Sequence, residues 1–306
     1  MIILVACLML VAMVLGISYV CFRLTFAVPS ETVMTLPNNE QYAPYAEESA
    51  RLMKNAADTP CESVYTPSRD GYRLRARYYY TKDDAPLQIM FHGYRSIGER
   101  DFCGGLAEAI DGGYNVLLVD QRAHGESEGK CLTFGIMEKF DCLSWVEYAI
   151  ARFGKEQKII LYGMSMGAST VLMATGLELP QNVVGVVADC GYTSPGAIIK
   201  KVIADRGYPM HITEFFVRLG GIIFGHFDIS SKKHINYLAK SKTPTLFIHG
   251  SDDRFVPCEM AVENYNACAC EKKKILIVDN AGHGISYMTD KSAYMSAVND
   301  FLVDVL

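Results

Sequence analysis

A serine set between two glycines is the first feature of this sequence that could do chemistry. Ser165 lies between Gly163 and Gly167 in the stretch KIILYGMSMGAST, after an apolar run and before small residues that favour a helix. Glycine loses more backbone entropy on ordering than any other residue, so two of them beside one serine indicate a turn that requires them. A tight strand–turn–helix of the form G-x-S-x-G strains the serine backbone and exposes its hydroxyl. The stretch therefore predicts Ser165 as a nucleophile.

The same turn supplies a group that can stabilise negative charge. The first N–H groups of a helix have no intrahelical partner, and the helix dipole favours an anion beside them. We therefore expect the backbone N–H of Met166 to be one donor of an oxyanion hole next to Ser165.

A candidate acid and a candidate base follow in the chain, each just after a run of apolar residues. Asp253 lies in HGSDDRFVP after the run TLFIHG, and His283 lies in NAGHG after the run KILIVD. If these runs are parallel strands, their carboxyl ends bring both loops to the edge that holds Ser165. A histidine can take the serine proton, and a carboxylate can hold the histidine tautomer and stabilise its charged form. The predicted catalytic residues are Ser165, Asp253 and His283.

The elements that must position these residues alternate between short apolar runs and helical patterns. Between Ile136 and Phe153, for example, apolar residues recur at helical spacing. Continuous apolar runs indicate strands that are buried on both faces of a sheet. The alternation predicts an α/β fold with a mostly parallel central sheet and helices on both faces. The predicted strands are YRLRARYYY (72–80), LQIMFHG (87–93), NVLLVD (115–120), KIILYG (158–163), VVGVVAD (183–189), TLFIHG (245–250) and KILIVD (274–279).

Residues 194–243 interrupt this alternation, because they carry no strand pattern. An insertion of this size in a compact domain is usually functional, so we expect a helical lid, although longer surface helices are an alternative. Its apolar side chains suit the covering of an acyl group. These side chains belong to Phe215, Phe216, Leu219, Ile222, Ile223, Phe224 and Phe227.

Five stretches of the sequence together resemble one known family. They are FHGYRS, DQRAHGESEG, GMSMGAS, HGSDDRFVP and GHG, and they span most of the chain from about Pro60 to the C-terminus. The sequence is similar to the serine-hydrolase branch of the α/β-hydrolase fold family. It is most similar to bacterial membrane-anchored or secreted members related to the serine aminopeptidase S33 and esterase groups. Ala123 stands where that family more commonly has glycine, in a loop that we expect to be structural.

The resemblance implies two further assignments. The order Ser165, Asp253, His283 is the order of the α/β-hydrolase triad. The family pattern H-G-x-x-D-x-x-V-P places the acid at Asp253 and not at Asp252. The family's second oxyanion donor is a backbone N–H after the histidine–glycine pair of the third-strand loop, which here is the N–H of Tyr94.

The N-terminal segment is predicted to be a membrane anchor. Ile2–Phe22 has no charged residue, and its length matches the roughly 20 residues that cross a hydrocarbon core. A cleaved signal peptide is the alternative, although a positively charged n-region is missing. We divide the chain into an anchor (1–27), a linker with a lead-in helix (28–60) and a hydrolase domain (61–306). We expect the first 27 residues to act as a tether and to contribute nothing to the site.

The charge and the cysteine content of the chain indicate where the protein is expected to reside and which partners it is expected to bind. The chain has 306 residues and a formal charge of -5, and it lacks a basic stripe, which excludes nucleic acid as an expected partner. Arg23 follows the apolar segment, so the positive-inside rule favours a cytoplasmic domain. Ten cysteines without a C-x-x-C pair or a disulfide framework fit a reducing compartment. A secreted protein remains the alternative, and no metal or organic cofactor is implied.

The expected activity is hydrolysis of carboxylic esters with a short or medium acyl chain, through an acyl-enzyme. An S33-like aminopeptidase that acts on short peptides is one alternative. It would need a carboxylate for the substrate ammonium, and Glu214, Asp205 and Asp228 are candidates. A non-catalytic binding protein with the same fold is the other alternative. The small-molecule substrate and the membrane are therefore the expected partners.

Overall fold

A computed structural model describes residues 1–28, 35–37, 39–230 and 235–306. Eight strands form one sheet in the order β1-β2-β4-β3-β5-β6-β7-β8. β1 and β2 are antiparallel to their neighbours, and all pairings from β4 to β8 are parallel. The strands are β1 (Glu62–Pro67), β2 (Arg73–Tyr79), β3 (Leu87–Phe91), β4 (Asn115–Asp120), β5 (Ile159–Met164), β6 (Val183–Asp189), β7 (Thr245–Gly250) and β8 (Lys273–Val278).

Successive residues of the central strands face two separate hydrophobic cores. In β5, Ile159 and Leu161 face one core, whereas Ile160 and Tyr162 face the other. Successive side chains of a strand point to opposite sides of the sheet, so a strand that is covered on both sides must be apolar throughout. This explains the unbroken apolar runs in the sequence.

Twelve α-helices lie in the described part of the chain. Helices α5, α6 and α10 pack on one face of the sheet, and α4 and α12 pack on the other. The helices are α1 (Ile2–Phe26), α2 (Ala46–Asp58), α3 (Gly98–Asp101), α4 (Cys103–Asp111), α5 (Glu138–Phe153), α6 (Met166–Ala174), α7 (Pro195–Asp205), α8 (Met210–Gly220), α9 (Ile235–Leu238), α10 (Glu259–Ala267), α11 (Ser286–Thr289) and α12 (Lys291–Val305).

The predicted α/β architecture is confirmed, with one strand that the sequence did not reveal. All seven predicted apolar runs form strands of the sheet, but β1 precedes them. β1 lies at the sheet edge, and only Val64 and Thr66 of its six residues are buried. An edge strand with two buried residues leaves too short an alternation to recognise.

The insertion between β6 and β7 consists of helices. It contains α7, α8, a π-helical turn (Gly221–Gly225) and α9, and its described residues form no strand. α8 packs against α1, where a Cβ on Gly220 would lie 2.4 Å from the carbonyl oxygen of Ser18. The insertion and the N-terminal helix therefore form one packed unit.

Among the described residues, α1 is the one helix long and apolar enough to cross a membrane. Its first 16 residues, 2–17, project from the body, and Val14 alone among them is partly buried. Its last two turns are docked instead. Phe22 and Phe26 are buried in a core with residues of α7 and α8, including Ile198 and Val217. The expectation that the first 27 residues are a separate tether is therefore wrong for the C-terminal part of α1.

Candidate active site

Ser165 lies at the tight turn between β5 and α6. Its backbone angles are φ 54° and ψ -113°, a conformation that L-residues rarely adopt. The two glycines permit this turn because neither position has room for a side chain. A Cβ on Gly163 would lie 2.2 Å from the oxygen of Gly167, and a Cβ on Gly167 would lie 1.8 Å from the oxygen of Phe91. The geometry that the sequence indicated is present.

Ser165, His283 and Asp253 form a continuous hydrogen-bonded chain. The Nε2 atom of His283 lies 2.9 Å from Oγ of Ser165, and its Nδ1 atom lies 2.7 Å from Oδ2 of Asp253. Ser165 follows β5, Asp253 follows β7 and His283 follows β8, so all three lie at the carboxyl edge of the parallel sheet. The structure brings together the three residues predicted from the sequence, in an arrangement suited to proton transfer from the serine.

Asp253 is held in place by its own loop. Its Oδ1 atom accepts hydrogen bonds from the backbone N–H groups of Phe255 (2.9 Å) and Val256 (2.8 Å). These bonds leave Oδ2 free to face His283. The neighbouring Asp252 points to the surface instead, where its carboxylate contacts Arg254 at 3.0 Å.

A second histidine contacts the same carboxylate, and the sequence reasoning missed it. Nε2 of the fully buried His249 lies 3.1 Å from Oδ2 of Asp253 and 2.9 Å from the carbonyl oxygen of Val256. Both neighbours are acceptors, so Nε2 carries the proton and donates. His249 stands four residues before Asp253 in the motif HGSDD, and this spacing is the signal that could have found it.

The interaction between His283 and Asp253 raises the pKa of the histidine and lowers the pKa of the aspartate. Burial acts to lower the pKa of His283, but the adjacent Asp253 carboxylate outweighs it and raises that pKa above 6.5. Burial acts to raise the pKa of Asp253, but His283 and His249 outweigh it, and the pKa of Asp253 lies well below its usual range. Asp253 is therefore ionised at neutral pH.

The two predicted oxyanion donors flank Ser165. Met166 is the first residue of α6, and Tyr94 lies in the loop after β3. Within the part of the chain that the structure describes, neither N–H donates to another protein group. The carboxylate of Asp101 orients the Tyr94 loop, since it accepts from the N–H of Gly93 at 2.6 Å and from Oγ of Ser96 at 2.5 Å.

A cavity of about 610 Å³ opens above Ser165 and His283. Its volume is in the range of small-molecule sites. One wall comes from the loops after the strands, including Tyr94, Met164 and Phe255. The other wall comes from the segment before α2, since residues 36, 37 and 39–42 all line the cavity. Tyr42 of that segment donates a hydrogen bond to the carbonyl oxygen of His283 at 2.9 Å.

The residues expected to recognise substrate from the insertion do not line this cavity. None of its described lining residues comes from 194–243. Phe224 packs against Tyr19 and Phe22 of α1, and Phe227 packs against Phe26. The three candidate ammonium-binding carboxylates are paired with cations: Glu214 with Lys200, Asp205 with Lys201 and Asp228 with Arg218. The insertion is helical as predicted, but its residues Phe224 and Phe227 contact α1 instead of the cavity.

A buried polar chain lies beneath the site. Oδ2 of Asp189 accepts a hydrogen bond from the hydroxyl of Tyr294 at 3.0 Å, and that hydroxyl also contacts the hydroxyl of Tyr162. Burial raises the pKa of Asp189 to about 6. Burial likewise raises the pKa of the Cys190 thiol, which lies next to Asp253 and His283. A buried thiol with a raised pKa is a poor nucleophile.

Comparisons with known proteins concern the fold of this chain. Residues 86–218 match the sequence model for the alpha/beta hydrolase fold, a range that contains Tyr94 and Ser165 and ends before Asp253 and His283. The chain is 28% identical to the uncharacterised protein YqkD of Bacillus subtilis over 77% of each chain. It is 26% identical to an uncharacterised membrane protein of Saccharomyces cerevisiae, over 63% of this chain and 62% of the yeast protein.

Solved structures show the same fold. The esterase PF2001 of Pyrococcus furiosus superposes with a TM-score of 0.68 at 22% identity, covering 92% of this chain and 98% of the esterase. The eight-stranded sheet, the turn at Ser165 and the family match together identify the chain as a protein of the α/β-hydrolase fold.

Proposed function

We propose that the protein is a serine hydrolase that cleaves carboxylic esters through an acyl-enzyme. The observation that carries this proposal is the contact of His283 with Ser165 Oγ on one side (2.9 Å) and with Asp253 on the other (2.7 Å). Both distances are those of hydrogen bonds, so the nucleophile, the base and the orienting acid are already aligned.

In the acylation step, His283 acts as the general base. Nε2 takes the proton of Ser165 as Oγ attacks the ester carbonyl carbon, and it then donates that proton to the departing alkoxide. Asp253 holds the proton on Nδ1 and stabilises the imidazolium that forms between these events. In deacylation a water molecule takes the place of the alcohol, and the same transfers run through His283 to release the acid and free serine.

The oxyanion of each tetrahedral intermediate would be bound by the N–H groups of Met166 and Tyr94. Removing one such donor from a hydrolase typically costs about 3–4 kcal/mol of transition-state stabilisation. The helix dipole of α6 adds to this effect because its N-terminus begins at Met166.

An ester substrate is favoured over a peptide by the composition of the cavity. Its apolar lining includes Leu36, Pro37 and Phe255, which suit an acyl chain, and its volume of about 610 Å³ suits a short or medium one. The three acidic groups predicted to hold a peptide's ammonium in an S33-like aminopeptidase are paired elsewhere. Two other carboxylates line the cavity: Asp101 is already occupied by Gly93 and Ser96, and Glu40 is the one that remains for the aminopeptidase alternative.

We further propose that α1 anchors the protein in a membrane without being cleaved. The contacts of Phe22 and Phe26 with the body support an anchor that stays attached, and the likeness to a yeast membrane protein agrees with it. We propose that the chain consists of an anchor (1–27), a linker with a lead-in helix (28–60) and a hydrolase domain (61–306). The described helices of the insertion 194–243 then form a structural partner of the anchor.

A fluorophosphonate probe separates catalysis from mere binding. Such a probe reacts with a serine that is activated by a base, so we expect labelling of the full chain and its loss in Ser165→Ala. Ser169→Ala is the matched control, because Ser169 lies one turn further along α6 and is fully buried. Labelling that persists in Ser165→Ala would assign the nucleophile to another residue, and a chain that is never labelled would favour the non-catalytic alternative.

A panel of substrates tests the ester preference. We expect a higher kcat/KM for p-nitrophenyl acyl esters than for aminoacyl p-nitroanilides, with Ser165→Ala as the blank. Esters are intrinsically easier to cleave, so a higher kcat/KM for the anilides would establish the aminopeptidase instead.

A further inference from the structure

We propose that the surface formed by α8 and the π-helical turn Gly221–Gly225 rests on the lipid bilayer that α1 crosses. This proposal depends on α1 being a membrane helix and is independent of the catalytic activity. We call this the α8 surface and define it by four exposed apolar residues: Ile212, Phe215, Ile222 and Ile223.

The length of α1 places the body at the membrane. Residues 2–17 project freely, and 16 residues of helix measure about 24 Å at 1.5 Å per residue. A hydrocarbon core is about 30 Å thick, so the projecting part alone is too short to cross it. The uncharged stretch continues to Phe22, and the last part of the span must therefore come from the turn Ser18–Phe22.

That turn of α1 is the part that the insertion covers. Gly220 packs on Ser18 and Phe22, and the ring of Phe224 lies 5.1 Å from the ring of Tyr19. A bilayer that surrounds the turn Ser18–Phe22 must also contact the insertion, which packs beside that turn. The π-helical turn is consequently held at the depth where the bilayer begins.

The α8 surface is apolar, and within the described part of the chain no protein partner buries its four defining residues. The exposed fractions are 62% for Ile212, 56% for Phe215, 42% for Ile222 and 37% for Ile223. Their spacing of three, seven and one residues puts them on one side of α8 and its continuation. Large aliphatic and aromatic side chains grouped on one exposed surface indicate a binding surface. The bilayer is the expected partner of this surface, because α1 already places the protein at a bilayer.

Tryptophan fluorescence tests the contact in the full-length protein. The chain has a single tryptophan, Trp145, which is completely buried. In vesicles with brominated acyl chains, a tryptophan that touches lipid is quenched. We would compare Ile223→Trp with Leu10→Trp in the projecting part of α1, and with Val303→Trp, whose side chain is 81% exposed on α12.

We expect the tryptophan at position 223 to be quenched as at position 10, while the tryptophan at position 303 and Trp145 keep their fluorescence. Quenching at position 10 without quenching at 223 overturns the proposal, because the body then stands away from the bilayer. Absence of quenching at both positions overturns it as well, since α1 would not be in the membrane.

A separate observation concerns the loop Gly93–Ser96, which carries the proposed oxyanion donor Tyr94. We infer that α1 holds this loop in its active conformation through Tyr94 and Arg95, an inference that rests on the proposed function. The last carbonyl groups of a helix have no intrahelical donor. Here the loop supplies the donors: Tyr94 Oη binds the Thr25 oxygen at 2.9 Å.

Arg95 makes the larger contribution to this contact. Its Nε and Nη2 atoms donate to the carbonyl oxygen of Ala27 at 3.0 and 2.7 Å, and Nη2 also donates to that of Leu24 at 2.9 Å. Its guanidinium lies over the ring of Tyr94, 4.9 Å from the centroid. One side chain therefore binds the end of α1 and also contacts Tyr94, whose N–H is the proposed oxyanion donor.

The backbone of the loop needs this support. Arg95 has a φ of 50°, a left-handed conformation that is unfavourable for a residue with a side chain. Such strain persists only where the surroundings hold it. Asp101 holds the loop at Gly93 and Ser96, and α1 holds it at the two residues between them. Arg95 is thus a positioning residue for the oxyanion hole.

Steady-state kinetics of the full chain test this role, because a positioning residue of the oxyanion hole should affect kcat and KM differently. An oxyanion hole acts mainly on the transition state, so Arg95→Met should lower kcat about tenfold or more and change KM little. Arg152→Met is the control, since Arg152 also binds two partners, Glu62 and Tyr148, far from the site. Tyr94→Phe, which removes one hydroxyl, should give the same pattern with a smaller loss.

A second variant shows whether the effect passes through α1. Phe26→Ala weakens the docking of the last turn of α1, because Phe26 packs between Phe134 and Phe227. If Arg95 acts by gripping that turn, Phe26→Ala and Arg95→Met together should lower kcat by less than the product of their separate effects. Unchanged kcat in Arg95→Met, or a fully multiplicative double variant, overturns the inference. Wild-type protein without any hydrolysis or labelling would instead overturn the proposed function.

Discussion

At the scale of single residues, the division of roles between two adjacent aspartates is the sharpest assignment. Asp253 is buried and faces His283, whereas Asp252 pairs with Arg254 at the surface. Asp253→Asn should lower kcat by about 10⁴-fold because the amide stabilises the wrong histidine tautomer. Asp252→Asn should leave kcat within a few-fold. Steady-state ester hydrolysis measures both, and the opposite ranking would show that the acid is misassigned.

The pKa shift of His283 predicts the pH dependence of the reaction. His283 must be neutral to accept the serine proton, and Asp253 raises its pKa above 6.5. kcat/KM should therefore fall as the pH decreases through a value above 6.5. In Asp253→Asn the negative charge is gone, so the midpoint of the residual activity should move to lower pH. A pH profile of kcat/KM for both proteins tests this, and a midpoint that stays in place would show that Asp253 does not control His283.

The buried His249 is expected to support Asp253 without touching substrate. His249→Phe removes the Nε2 donor to Oδ2 and leaves only His283 and two backbone groups around the carboxylate. Loss of one charge-assisted hydrogen bond of about 1.5–3 kcal/mol should lower kcat roughly tenfold and raise the pKa of Asp253. His249→Gln, whose amide can still donate, should recover part of the activity. Equal kcat values for the wild type and His249→Phe would show that the contact between His249 and Asp253 has no role in catalysis.

At the scale of elements, the turn between β5 and α6 depends on close backbone packing. A Cβ at position 167 would overlap the carbonyl oxygen of Phe91 on β3. Gly167→Ala should therefore destabilise the fold by about 1–3 kcal/mol or more, because either β3 or α6 must shift. Gly105→Ala on α4 is the control, since the nearest atom to its Cβ is 3.7 Å away. Thermal unfolding of both variants decides, and equal Tm values would contradict the described packing.

The strands and the site loops were predictable at this scale because their determinants are local. Seven apolar runs and the G-x-S-x-G turn each carry their signal within a few residues. β1 was missed because only two of its residues are buried. His249 was missed because a spacing of four residues does not by itself show that the loop after β7 folds back on the strand and brings Asp253 to His249.

At the scale of the whole molecule, no pattern in the sequence predicts that the segment before α2 lines the active-site cavity. Residues 36, 37 and 39–42 belong to the segment 28–60 that the sequence predicts as a linker with a lead-in helix, yet they line the cavity. Gln41 donates to the carbonyl oxygen of Asp252 at 2.7 Å, across 211 positions of sequence. Contacts of this kind depend on the tertiary arrangement and have no periodic pattern. The same holds for the contact between α1 and the insertion, which uses aromatic residues that equally suited an acyl chain.

We propose that Ser165 forms a covalent acyl intermediate with the help of His283. Rapid mixing of the full-length protein with a p-nitrophenyl ester, followed by peptide mass spectrometry of acid-quenched samples, detects this intermediate. We expect a burst of p-nitrophenol that does not exceed one equivalent per chain, an acyl group on Ser165, and neither in Ser165→Ala. Turnover that continues in Ser165→Ala, or an acyl group attached to another residue, would contradict it.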